Sequence, residues 1–175
     1  MRQRVLMLTL ATAAATAIAC NSESTDFTNP TKPTTNNIVN FRATMTAASE
    51  VPVNTSTGSG LFTATLDTIT NVFTYDIIFS GLTTPVNNGH IHGPAAAGVN
   101  SGTTINYNTI AGATFSFGQV SGAAHGQVTL NSGTQITATV NGDSLRKLLF
   151  AGLTYSNIHT TQNAGGEIRG QVLRQ

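Results

Sequence analysis

From Ile38 to the C-terminus, apolar residues recur at every second position in short runs, and glycine-rich breaks separate the runs. That period calls for strands, because successive side chains of a strand point to opposite faces. Val39, Phe41, Ala43 and Met45 alternate with polar residues; Glu50-Val51-Pro52 breaks the run. Residues 61–66 and 72–79 form two more runs, the second placing Phe73, Tyr75, Ile77 and Phe79 on one face. The short Asp- and Asn-bearing turn between them predicts a β-hairpin. Further strands are predicted at 103–110, 113–117, 126–130, 135–140, 153–159 and 167–173. One helical pattern interrupts them: Leu145, Leu148 and Leu149 lie at i, i+3, i+4, with Asp143 as the expected N-cap and Gly152 as the stop. The expectation is an all-β domain over 38–175, an antiparallel Greek-key-like sandwich or barrel of about 7–9 strands with one short helix. No βαβ pattern and no repeat of solenoid length is present.

Cys20 is the only cysteine, so an internal disulfide is excluded and stability must come from a packed core. The roughly 135 residues after the first 37 suffice for one. Residues 1–19 read as an export signal: Arg2 and Arg4, an uncharged apolar stretch from Val5 to Ile18, then small residues before Cys20. The stretch is short for a membrane-spanning helix, which needs about 20 residues. Ala17-Ile18-Ala19-Cys20 resembles a bacterial lipobox, which implies that Cys20 is lipidated and becomes the first mature residue. Asn21 at the next position implies, by likeness to Gram-negative lipoproteins, the outer membrane. Residues 20–37 carry two prolines, many Ser, Thr and Asn, and one aromatic residue, Phe27. Such a segment buries too little apolar surface to offset its ordering entropy and is expected to be a tether.

Charged residues make up 9% and the net charge is +1, which excludes the basic footprint of a nucleic-acid binder. Two candidate sites carry chemistry. His90 and His92, in Asn88-Gly89-His90-Ile91-His92-Gly93-Pro94, are two apart, so on an extended segment they share a face with Cβ atoms roughly 6.5 Å apart. Two imidazoles so placed can share a zinc or copper ion. His159 is the candidate third ligand and His125 a weaker fourth. Alternatively these rings fix loops by bonding backbone carbonyls. Glu167 and Arg169 also share a face; they read either as an ionic site beside the histidines or as charges paired across the sheet or facing solvent. No Ser-His-Asp set, phosphate loop or CxxC pair is present, and no catalytic residue is assigned.

Taken together, Phe41 to Ala48 with Glu50-Val51-Pro52, Gly60, Gly89-His90-Ile91-His92-Gly93-Pro94-Ala95, Leu153-x-Tyr155-x-Asn157-Ile158-His159-Thr160 and Gly165-Gly166-Glu167-Ile168-Arg169-Gly170-Gln171-Val172 resemble the CHRD domain, named from chordin. The resemblance implies an extracytoplasmic β-sandwich and little about activity. A remoter resemblance is to copper-zinc superoxide dismutase, whose HxH copper pair, late histidine and arginine would match His90, His92, His159 and Arg169 in order. The cysteine pair, bridging histidine and zinc cluster of that family have no counterpart here. The functional expectation is an exported, lipid-anchored, non-catalytic binding module of the cell envelope, facing the periplasm or the outside and meeting an unknown protein or extracellular ligand. The alternative is a copper-binding protein or dismutase-like redox enzyme using His90, His92 and His159.

Overall fold

The structure is a computed structural model and describes residues 37–175. The expected export signal, the expected lipidation site Cys20 and the expected tether up to residue 36 lie outside these residues. Nine strands form one antiparallel sheet: β1 (Ile38–Thr46), β2 (Ser59–Asp67), β3 (Val72–Ser80), β4 (Val86–His92), β5 (Thr103–Asn106), β6 (Thr114–Phe115), β7 (Gly122–Thr129), β8 (Thr154–Thr160) and β9 (Ile168–Arg174). Among the described residues one α-helix, α1 (Gly142–Phe150), precedes β8.

The sheet order is β5-β4-β8-β9-β1-β2-β3-β7-β6. The β1–β2–β3 meander is the centre, built by the alternation at 39–45, 61–66 and 72–79. The chain then crosses three times between the two wings, from β3 to β4, from β5 to β6 and from β7 through α1 to β8. The crossings curl the sheet around its apolar face. Backbone bonds bridge the wings: Gly118 N–H donates to Val86 C=O and Val86 N–H to Gln119 C=O, both at 2.9 Å. Inside lie Phe41, Met45, Phe62, Phe73, Tyr75, Tyr107, Ile158 and Ile168 among others. Burying each large apolar side chain contributes about 1.5–3 kcal/mol. Tyr107 enters the core with its hydroxyl 2.8 Å from Ser156 Oγ, which offsets the cost of burying it.

Three expectations differ in detail. Residues 135–140 are not a strand. Thr137 N–H donates to Val140 C=O and Val140 N–H to Thr137 Oγ1, which folds the segment into a tight turn. Ile136 and Val140 still pack against the core, so the alternation was real while its geometry was not extended. The helix N-cap is Asn141, whose side chain accepts from Ser144 N–H; Asp143 sits in the first turn instead. β5 and β6 are shorter than their apolar runs, and β7 begins at Gly122 rather than at Gly126.

Candidate metal centre and its comparison with known proteins

The turn-rich stretch around His90 is itself a strand. A β-bulge between Val86 and Asn88 shifts the register of β4 against β8. Beyond it, Gly89 and Ile91 face the core while Asn88, His90 and His92 face outwards. Gly89 is required there: a Cβ would lie 2.8 Å from Tyr107 and 2.9 Å from Phe115.

Cross-strand register builds the rest. Asn88, His90 and His92 stand opposite His159, Asn157 and Tyr155 of β8, and Asn157 stands opposite Arg169 of β9. Directly opposed residues share a face, so this outward patch holds two histidines from β4, a third from β8 and the arginine from β9. Every residue of β8 is buried, because loops cover the patch. Asn100 Nδ2–H donates to Val51 C=O, joining the loop after β4 to the loop after β1.

His92 and His159 are buried and His90 is half-buried. His92 Nδ1–H donates to Ser101 C=O at 2.9 Å, and His159 Nδ1–H to Ala164 C=O at 2.9 Å. A carbonyl partner fixes the proton on Nδ1 and leaves the lone pair on Nε2. His159 Nε2 lies 3.0 Å from His90 Nδ1, and His92 Nε2 lies 3.1 Å from Asn157 Oδ1. One ligand atom from each of the three histidines falls within 4.8 Å of the other two. Burial holds all three imidazoles below the usual histidine range; for His90, pushed down to about 3, His159 and His92 add to the effect. The rings are therefore neutral near pH 7; the His159 Nε2 lone pair accepts from His90 Nδ1–H, and a bound cation would take the place of that proton.

Supports surround the rings. Tyr155 stacks on His92 with centroids 4.7 Å apart and planes at 6°. Arg169 lies over the other side of this system, its guanidinium carbon 3.3 Å from the Tyr155 centroid. Arg169 donates to Asn100 Oδ1 at 2.8 Å and to Val99 C=O, and is 2% exposed. It is thus beside the histidines, neither facing solvent nor in an ion pair. Glu50 is buried near it, with Oε1 unpartnered. Burial pushes the Glu50 carboxyl up to about 7 against the opposing pull of Arg169, the Val51 amide and Asn157. Sequence reasoning assigned no role to Glu50, Tyr155 or Asn157; the period-two spacing of Tyr155, Asn157 and His159 was the signal for the last two.

Glu167 is close in sequence but does different work. Its Oε1 accepts from Ser56 Oγ and Thr83 N–H, both at 2.6 Å, and its Oε2 from Thr83 Oγ1 at 2.9 Å and Thr160 Oγ1 at 2.5 Å. Burial raises this carboxyl, but the four hydrogen bonds outweigh it and hold it below the usual range. His125 lies away from the triad, on β7, exposed, with Nδ1 2.8 Å from Asp76 Oδ1. It is not the fourth ligand.

The chain matches the CHRD domain over residues 41–172, from the first strand to the last. This protein belongs to the CHRD-domain family. Membership points to an extracellular or binding module and to no particular reaction. Among curated proteins and among solved structures, nothing matches the chain.

Proposed function

We propose that this CHRD-domain protein is an exported, lipid-anchored binding module whose ligand is a transition-metal ion, copper or zinc, held by His90, His92 and His159. One observation carries the reading: two of the three rings pin Nδ1–H to backbone carbonyls, which turns their Nε2 atoms inwards to His90 and Asn157, in a corner where one ligand atom from each histidine lies within 4.8 Å of the others. Loop-fixing and ligation, which compete in the bare sequence, use opposite edges of the same ring. Metal–nitrogen bonds of about 2.0–2.1 Å place neighbouring ligands about 3.0–3.4 Å apart. The His90–His159 contact already has that spacing, and small ring rotations bring in His92. Imidazole-only sets suit copper and zinc, and copper binds more tightly in the general order of divalent ions.

Export and the anchor at Cys20 rest on the leader sequence; no helix among the described residues is long and apolar enough to cross a membrane. Arg169 directs its guanidinium to Asn100, Val99 and Tyr155, which favours binding over turnover. The test is metal analysis of protein purified without a histidine tag, followed by copper titration of wild type and His92→Ala. One equivalent bound by wild type and lost in the variant supports the reading. No retained or titratable metal removes it.

A further inference from the structure

The described residues contain five cationic side chains: Arg42, Arg146, Lys147, Arg169 and Arg174. Arg169 is buried at the metal corner. The other four gather at one rim of the sheet, around two exposed apolar side chains. Arg146 and Arg174 flank the Phe150 ring, their guanidinium carbons 5.5 Å and 5.7 Å from its centroid. Lys147 is exposed on the same helix. Leu173 is 50% exposed and Phe150 is 37% exposed. Arg42 stands directly opposite Leu173 across β1 and β9 on the outer face of this rim, while Arg174, opposite Phe41, stands on the inner face, so the cations ring both sides of one sheet end.

None of these four cations is in an ion pair, the one ion pair among the described residues being His125–Asp76. Asp143 lies one turn before Arg146 and Lys147 on α1, and Asp76 is two strands from Arg42 on the same face, so the cations outnumber the acids around them. Asp67, at the same end of β2, turns its carboxylate to the amides of Ile69 and Thr70. Arg146 Nε is buried without a hydrogen-bond partner.

The position of the patch matters as much as its charge. Residues 1–36 join the domain at Asn37, one residue before β1. Phe41 of β1 is opposite Arg174, its ring is 6.0 Å from that of Phe150, and Gln175 N–H donates to Asn40 C=O. The chain therefore enters the domain at the rim that bears the cations. We propose that this rim docks on an anionic lipid surface, the cations meeting phosphate headgroups while Phe150 and Leu173 enter the headgroup–acyl boundary. The proposal shares with the preceding section the delivery of the chain to a membrane, and is independent of the metal.

The chain contains no tryptophan, so Leu173→Trp supplies a single indole reporter. The full chain carrying it is mixed with brominated phosphatidylcholine vesicles with and without phosphatidylglycerol. The indole is expected to be quenched strongly only when phosphatidylglycerol is present, and less so as salt rises. Adding Arg146→Gln, Lys147→Gln and Arg174→Gln should weaken vesicle binding on the order of a hundredfold, each cation being worth roughly fivefold. Equal quenching in both vesicles, quenching indifferent to the triple substitution, or an indole that stays in water throughout would overturn the proposal; the last is the outcome for a protein partner. Flotation without phosphatidylglycerol reads the N-terminal segment and quenching reads the rim, so the anchor and the docking surface fail separately. Circular dichroism of the triple variant confirms its fold.

Discussion

Two buried polar clusters lie on either side of Gly166, and they differ in completeness. Around Glu167 each carboxylate oxygen accepts two hydrogen bonds, and donors come from Ser56, Thr83 and Thr160 on three separate segments. Around the histidines, His90 and His159 share one hydrogen bond where a cation could bind both, and the neighbouring Glu50 keeps an unpartnered oxygen. Gly166, at φ 133°, separates them: a Cβ there would collide with the Glu50 carboxylate. A complete buried cluster is a clamp, since every desolvated atom has its partner. An incomplete one costs free energy unless something else completes it. The same region of one sheet thus holds a structural brace and a ligand site.

The comparison breaks most visibly at the brace. Glu167→Ala strands four donors and should cost about 3–5 kcal/mol in chemical denaturation. A loss below about 1 kcal/mol would mean the cluster is no clamp. At the incomplete cluster the ordering reverses. His159→Ala loses the Ala164 contact and should cost the apo domain about 1–2 kcal/mol, less than Glu167→Ala, yet lower copper affinity by more than the 10–100-fold typical of supporting residues, as read by calorimetric titration.

Acid sharpens the contrast. Below about 6.5 the unfolded chain takes up protons on His90, His92 and His159 that the folded chain refuses, so stability falls with pH. Glu50 opposes this: between 4.5 and about 7 the folded chain holds the extra proton, so its contribution rises as pH falls. Three groups outweigh one, and the apo melting temperature should drop between about pH 7 and pH 5, more steeply in Glu50→Gln. A melting temperature that climbs towards pH 5 contradicts the neutral triad. The smallest effect belongs to His125→Ala on the open face, within about 1 kcal/mol and without consequence for metal.

Much of this was legible beforehand because period two survives in the sequence. The meander 38–80, the helix and the closing strands follow from alternation and glycine breaks, and Glu50-Val51-Pro52 correctly ends the first strand. The pairing of His90 with His159 was legible as a possibility, since both sit in strand-compatible motifs. Their meeting depends on register between β4 and β8, including a bulge at Val86–Asn88, and no local pattern encodes a bulge. The burial of Arg169 was hidden for a related reason: an outward-facing strand residue normally meets solvent, and here loops cover it, one of them carrying Glu50. At 135–140 the alternation misled, because side chain–backbone bonds from Thr137 win over extension.

The most direct test of the metal corner is X-ray absorption at the metal edge of the copper-loaded protein. The account predicts three imidazole nitrogens at about 2.0 Å, falling to two in His159→Ala. A coordination shell without imidazole scattering, or one unchanged by that substitution, would contradict it.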